Sequence, residues 1–279
     1  MNKISAEKIK IFFIAILMLI SSNAVYSAGY STGRPSEYTA GRAVSNEEIL
    51  FIVDFSSSMN NTMHGRTLIN HALDAVKNIL LTSDTSSKIG LRIFGYTENP
   101  EMVLTPRGYK YNLDKLCEAT SLVFPPAKYN SVYILDKLQK LKPWGVTPIE
   151  YSLRQAVMND FSNDDSVIKH IILVTDGAEN CHGNPCGYVS EIMRMRKDFK
   201  VDVIGISISS NDYKQLSCIA EAGSGGFYAV EKPEDFNSKF RDAVNSSNSR
   251  IKSSSNAGIY GRNAAGRIEY RNYTFQFDY

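Results

Sequence analysis

The chain lacks a run of apolar residues long enough to cross a bilayer. Its longest, Ile11 to Ile20, falls short of the ~20 residues that a spanning helix needs. It also lacks a strong charge of either sign: 31 Lys and Arg stand against 29 Asp and Glu, a formal net charge of +2. No basic run interleaved with aromatics occurs in the body of the chain, so nothing points to a nucleic-acid partner. Histidine is scarce, with four residues. No Gly-rich loop of the phosphate-cradling type is present. Together these absences leave little basis for acid–base or nucleotide chemistry.

What is present begins with Lys3, Lys8 and Lys10, then the apolar run, then mostly small and polar residues from Ser21 to Ala28. That order predicts a secretory signal over residues 1–27, cut after Ser27 or Ala24. No Cys lies near the cut, so no lipid attachment is expected. The four cysteines, Cys117, Cys181, Cys186 and Cys218, are an even set of the kind that pairs in exported proteins. Cys181 and Cys186 share a short loop and are the expected pair, leaving Cys117 with Cys218. A zinc site using His182 is the rival, but the spacing is not one of the usual zinc patterns.

Residues 28–46 carry Gly, Ser, Pro and Tyr without periodicity and read as a flexible lead-in. Then Ile49-Leu50-Phe51-Ile52-Val53 forms an uncharged run, as expected of a strand buried on both faces. Further strands are expected at 87–96, 167–175, 201–208 and 227–230. Helical periodicity falls between them, at 68–80, 131–141, 149–161, 189–199, 213–222 and 233–244. Residues 97–128, with four prolines, resist assignment beyond a short strand at 102–104. Strands alternating with helices imply an α/β domain, doubly wound, with a mostly parallel sheet and helices on both faces, spanning 47–247. The Ser- and Asn-dominated segment 245–256 reads as a linker, so that residues 248–279 form a tail. Tyr273, Phe275, Phe277 and Tyr279 alternate with polar residues in it as a strand would.

The first strand ends in Asp54-Phe55-Ser56-Ser57-Ser58. A carboxylate and two hydroxyls at alternate positions are hard oxygen groups suited to a hard cation. Taken alone, Asp and Ser after a strand also turn the chain and cap helices. Two further loops strengthen the metal reading. Asp176 follows the buried strand Ile171 to Thr175, which places it at the same carboxyl edge, where open α/β sheets bind ligands. Thr147 heads Thr147-Pro148-Ile149-Glu150, which has the form of a capping box with Pro at the first helical position. Two carboxylates and three hydroxyls make a plausible shell for an octahedral ion that keeps some waters.

Asp54-x-Ser56-x-Ser58, then Thr147, then Asp176 resembles the metal-ion-dependent adhesion site of von Willebrand factor type A domains. The contexts Asp-Phe-Ser-Ser-Ser-Met, Gly-Val-Thr-Pro-Ile and Leu-Val-Thr-Asp-Gly agree in order. Glu179-Asn180-Cys181 and Pro185-Cys186 are similar to exported bacterial members with a cysteine pair there. Val146 departs, standing where a second Gly is common. The resemblance implies that Ser56, Ser58 and Thr147 touch the metal, Mg2+ with Mn2+ or Ca2+ as alternatives. Asp54 and Asp176 would act largely through water, and one coordination position would receive the carboxylate of an Asp or Glu from a protein partner. It implies an exported, periplasmic or surface binding module and no enzyme. Two alternatives stand beside it. One is a hydrolase with Asp54 as nucleophile, which would want a second acid at position 56 and a placed histidine; His64 reads only as a rim residue. The other is a structural subunit of an envelope complex whose metal site is vestigial.

Overall fold

The computed structural model describes residues 46–83, 87–138, 140–255, 260–262 and 268–270. The expected signal, all of the lead-in except Asn46, and the aromatic strand at 273–279 lie outside the described residues.

The first strand, β1 (Glu47–Asp54), is buried along its whole length. A 3-10 turn at Ser57–Asn60 follows, then a small hairpin, β2 (Thr62–Met63) and β3 (Arg66–Thr67). His64 and Gly65 both take positive φ at its turn, the mirror-image geometry that tight hairpins favour. Helix α1 (Leu68–Thr82) leads to β4 (Lys88–Phe94). An excursion then contains the hairpin β5 (Met102–Thr105) and β6 (Gly108–Tyr111), a short helix α2 (Leu113–Cys117), strand β7 (Thr120–Ala127) and helix α3 (Ser131–Leu138). The rest alternates regularly: α4 (Ile149–Asn159), β8 (Ile168–Thr175), α5 (Pro185–Met195), β9 (Phe199–Ile206), α6 (Ser210–Ala222), β10 (Ser224–Val230) and α7 (Phe236–Ser255). A final hairpin pairs β11 (Tyr260–Arg262) with β12 (Ile268–Tyr270).

Six strands make one sheet in the order β10-β9-β8-β1-β4-β7. Every pairing is parallel except β4 with β7. The doubly wound, mostly parallel arrangement read from the sequence is therefore the fold. Alternate residues of the buried strands feed two separate cores. Phe51, Val53, Leu91 and Ile172 pack with α1, α3 and α7. Leu50, Ile52, Ile171 and Val203 pack with α4, α5 and α6. Each large apolar side chain removed from water in this way contributes about 1.5–3 kcal/mol, which is why the central strands carry no charge between Ile49 and Val53.

Several local expectations are corrected. Strand β7 holds Pro125 and Pro126. Proline donates no hydrogen bond, so a strand carrying two sits at an edge, and here β7 is antiparallel with shifts of register opposite Ile89 to Arg92. Helix α5 begins at Pro185, not Val189, because Asn184 caps it by accepting from Gly187 N at 3.0 Å. Helix α7 runs to Ser255, through the segment read as a linker. Nothing between Phe236 and Ser255 is Gly or Pro, and Ser and Asn alone only weaken a helix.

The cysteines pair Cys117–Cys181 and Cys186–Cys218, not Cys181–Cys186. Cys186 lies in the first turn of α5 and bonds across to α6. Cys181, in the loop before it, reaches the end of α2. Both cysteines flanking His182 are thereby used, which removes the zinc alternative.

Candidate metal centre

Asp54 closes β1 at the carboxyl edge of the sheet and is fully buried. Its Oδ1 accepts from Ser56 N at 2.6 Å, and its Oδ2 accepts from Thr175 Oγ1 at 2.7 Å. Ser56 lies in extended backbone just before the 3-10 turn. That turn brings Ser58 Oγ to 3.0 Å from Ser56 Oγ. Ser58 in turn donates to Asp176 Oδ1 at 2.7 Å, across 118 positions of sequence. Four of the five expected residues are thus joined by side chains or by one local backbone bond.

Thr147 joins through the backbone. Gly145 forms a parallel bridge with Ser56, accepts from Ser57 N at 2.9 Å and donates to Gly95 O at 2.9 Å. Trp144 N bonds Phe55 O at 3.0 Å. The Ser57 hydroxyl donates to Trp144 O, and Trp144 Nε1 donates to Thr97 O at 3.1 Å. The loop therefore lies directly on the Ser-rich loop. Two glycines make this approach possible. Gly95 takes φ +74°, and a Cβ there would stand 2.6 Å from Ser56 N. A Cβ on Gly145 would stand 2.6 Å from Gly95 O.

The capping box expected at Thr147 does not form. Pro148, and not Thr147, precedes the first helical residue of α4, and no side chain at that position caps the helix. The helix amides are served from elsewhere: Glu179 Oε2 accepts from Glu150 N at 2.8 Å. Asn180 clamps Thr147 instead, its Oδ1 accepting from Thr147 N at 2.7 Å and its N donating to Thr147 O at 3.3 Å. The Thr147 hydroxyl is left out of the helix cap. Three positioning residues, Thr175, Glu179 and Asn180, entered the sequence reading only as motif context, with no contact assigned to them. They lie near Asp176 in the chain, and their polar side chains so close to a candidate site residue were the available signal.

The electrostatics follow from burial. Asp54 is pushed up to about 7, chiefly because water cannot reach it, and the bonds from Ser56 and Thr175 offset only part of this. Burial likewise raises Asp176, against the bond from Ser58. Among the described residues neither carboxylate has an ion pair with Lys, Arg or His. Hydroxyls and backbone amides orient them but bring no positive charge. One buried and one half-buried carboxylate, both uncompensated and framed by hydroxyl lone pairs, favour a hard divalent cation. Both Asp54 oxygens are already bonded, which suits contact through water, while the Ser hydroxyls keep lone pairs free. The donor set fits the ion. Among the described residues no three His, Cys, Asp or Glu side chains gather as metal ligands elsewhere.

Residues 48–243 match the sequence profile of the von Willebrand factor type A domain. The chain belongs to that family. A curated relative, the uncharacterized protein YwmD of Bacillus subtilis, is 27% identical over 221 residues, 78% of this chain and 93% of its own length. A solved structure of an aerotolerance-related membrane protein from Bacteroides fragilis superposes with a TM-score of 0.54 at 15% identity, covering 72% of this chain and 99% of that one. Proximal thread matrix protein 1 from the mussel byssus, described with a zinc-occupied adhesion-site motif, gives a TM-score of 0.52 at 20% identity, covering 73% of this chain and 47% of that one. At such identities the type A domains of known structure support the fold alone.

Proposed function

We propose that this chain is an exported type A domain that binds a protein partner through a divalent cation and catalyses no reaction. Ser56, Ser58 and Thr147 would hold the ion directly, and Asp54 and Asp176 would hold it largely through water. The cation, when bound, supplies an electrophilic point that a partner's Asp or Glu carboxylate completes. Because few negative charges would contact it directly, it would stay attractive to that carboxylate. Mg2+ is the first candidate, with Mn2+ and Ca2+ next, and the zinc named for the mussel protein adds a fourth ion to test.

One observation carries this reading. Asp54, fully buried, and Asp176, half-buried, meet at the ends of two strands that are neighbours in the sheet but far apart in sequence, hydrogen bonded to Ser56, Ser58 and Thr175 and, among the described residues, without a cationic side chain. A site built to be neutral by itself would have included one. The two disulfides suit export, since such pairs persist in oxidising compartments. Among the described residues no helix is long and apolar enough to cross a membrane.

The test is partner capture from the cell envelope by the purified chain, in Mg2+ and in EDTA. The reading expects a partner lost on chelation and lost with Ser56→Ala. A partner that stays bound in EDTA contradicts it.

A further inference from the structure

The excursion between β4 and β7 raises an exposed hairpin next to the candidate metal centre. Its register pairs Met102 with Tyr111 and Leu104 with Tyr109, so these four side chains share one face. All four are exposed, Leu104 by 74% and Tyr109 by 70%. The inner end of this face touches the metal loop, where the Tyr111 and Trp144 rings lie 5.3 Å apart. Trp144 in turn bonds Phe55, one residue from Ser56. Trp144 and the exposed face of the hairpin therefore lie side by side, next to the loop that carries Ser56 and Ser58. An exposed aromatic and aliphatic strip of this kind marks an interaction surface more often than idle surface.

The hairpin is firmly held. Its strands pair through Thr105 and Gly108, and the Thr105 hydroxyl donates to Gly108 O at 2.7 Å. Asn112 N donates to Glu101 O across its base at 2.8 Å. The Cys117–Cys181 disulfide ties the following helix α2 to the loop that carries Asp176 and Asn180. The strip and the site thus keep a fixed relation.

We infer that this hairpin face and Trp144 form the second half of the partner site. They would receive apolar or aromatic side chains that flank the carboxylate on an acidic partner segment. This rests on the metal-dependent binding proposed above and names the chemistry of what binds. Charge favours that occupant over a neutral one. Arg107 at the hairpin turn has no ion pair among the described residues, so one end of the strip carries an unpaired positive charge and the other lies beside the candidate cation site, while Lys110 projects from the opposite face. Spacing sets the segment's form. Each two-residue step along the hairpin adds about 6.6 Å, and an extended chain covers about 3.3 Å per residue. Apolar side chains within roughly three to five residues of the carboxylate would reach it.

The experiment selects from a displayed random-peptide library on the full chain in Mg2+. Wild type is compared with the Leu104→Ser, Tyr109→Ser double variant. Both residues are exposed and neither neighbours a metal ligand, so circular dichroism and Mg2+ uptake should not change. The inference expects selected peptides with an Asp or Glu and an aromatic or aliphatic residue within five positions. They should be released by EDTA and bind the double variant about tenfold or more weakly, as for two lost anchors. Several results would overturn it: no enrichment, EDTA-sensitive peptides without apolar neighbours, or equal binding to the variant. A concentration-dependent dimer in sedimentation, dispersed by the double substitution, would assign the face to a second copy. Faster proteolysis of residues 28–45 or 256–279 in the double variant would assign it to the chain's own ends. Peptides that bind regardless of EDTA would instead defeat the metal reading beneath it.

Discussion

The two edges of the sheet both bury carboxylates, and they treat them in opposite ways. At the amino edge, His170 is fully buried between Glu47, 2.9 Å from Nδ1, and Asp202, 2.6 Å from Nε2. Lys200 adds a second bond to Asp202 at 2.9 Å, and Ser246 from α7 adds another. Acid and base there answer one another within the chain. Burial works against charge on His170, but its bonds to Asp202 and Glu47 prevail and raise its pKa. Burial also opposes charge on Asp202, yet His170 and its other donors hold it at about 2. At the carboxyl edge, Asp54 and Asp176 receive only hydroxyls and amides, and both are raised. The comparison separates charge that the fold completes from charge that it leaves unmatched. A pair that stabilises the fold is completed by the fold, whereas the site is left short of positive charge.

The largest effect should come from breaking the self-sufficient edge. Asp202→Ala leaves His170 and Lys200 without their shared partner and should cost about 3–5 kcal/mol in urea unfolding. Asp54→Asn, equally buried, should change the stability of the metal-free chain by under about 1 kcal/mol, because it removes a charge that nothing balances. Equal losses at both positions would erase the distinction.

Adding the missing charge sharpens the contrast. Mg2+ at a hundredfold excess over its Kd should stabilise the wild-type chain by about 2.7 kcal/mol in thermal melts. The gain should vanish in Asp54→Asn and persist in His170→Gln.

A smaller loss is expected where the loops meet. Gly95→Ala forces a left-handed backbone onto a residue with a side chain, at a cost of about 1–2 kcal/mol. Its Cβ also presses on Ser56 N, so Mg2+ affinity should fall along with stability. Unchanged affinity would mean that the loop contact does not shape the site.

The last effect is a slope with pH. Because His170 has a raised pKa when folded, its stabilising contribution is fully present below the unfolded His value near 6.5. It is lost as pH rises through the folded value. The stability difference between wild type and His170→Gln should therefore shrink on going alkaline, as measured by urea unfolding across pH 5 to 9.

The same contrast explains what the sequence disclosed. The uncharged runs before Asp54 and Asp176 placed both residues at one edge, because buried parallel strands leave a local signature. Ser56 and Ser58 followed from their spacing. The amino-edge cluster was not visible, since Glu47, His170 and Asp202 begin or lie within different strands and meet only through register. The clamp on Thr147 was missed for a related reason. Its local pattern fitted a helix cap, and the competing partner, Asn180, is 33 positions away. Disulfide pairing also failed on proximity, because Cys181 and Cys186 are close in sequence but Cys186 is committed to a helix that faces Cys218. Strand β7 was hidden by its own prolines, which argue against a central strand but are tolerated at the edge where it lies.

Titration calorimetry of the purified, metal-free chain with Mg2+, repeated with Mn2+, Ca2+ and Zn2+, tests the central claim most directly. The account predicts uptake of a single ion per chain, abolished by Asp54→Asn and by Ser56→Ala and retained in the Leu104→Ser, Tyr109→Ser variant. No uptake of any of the four ions, or uptake unchanged by both site substitutions, would contradict it.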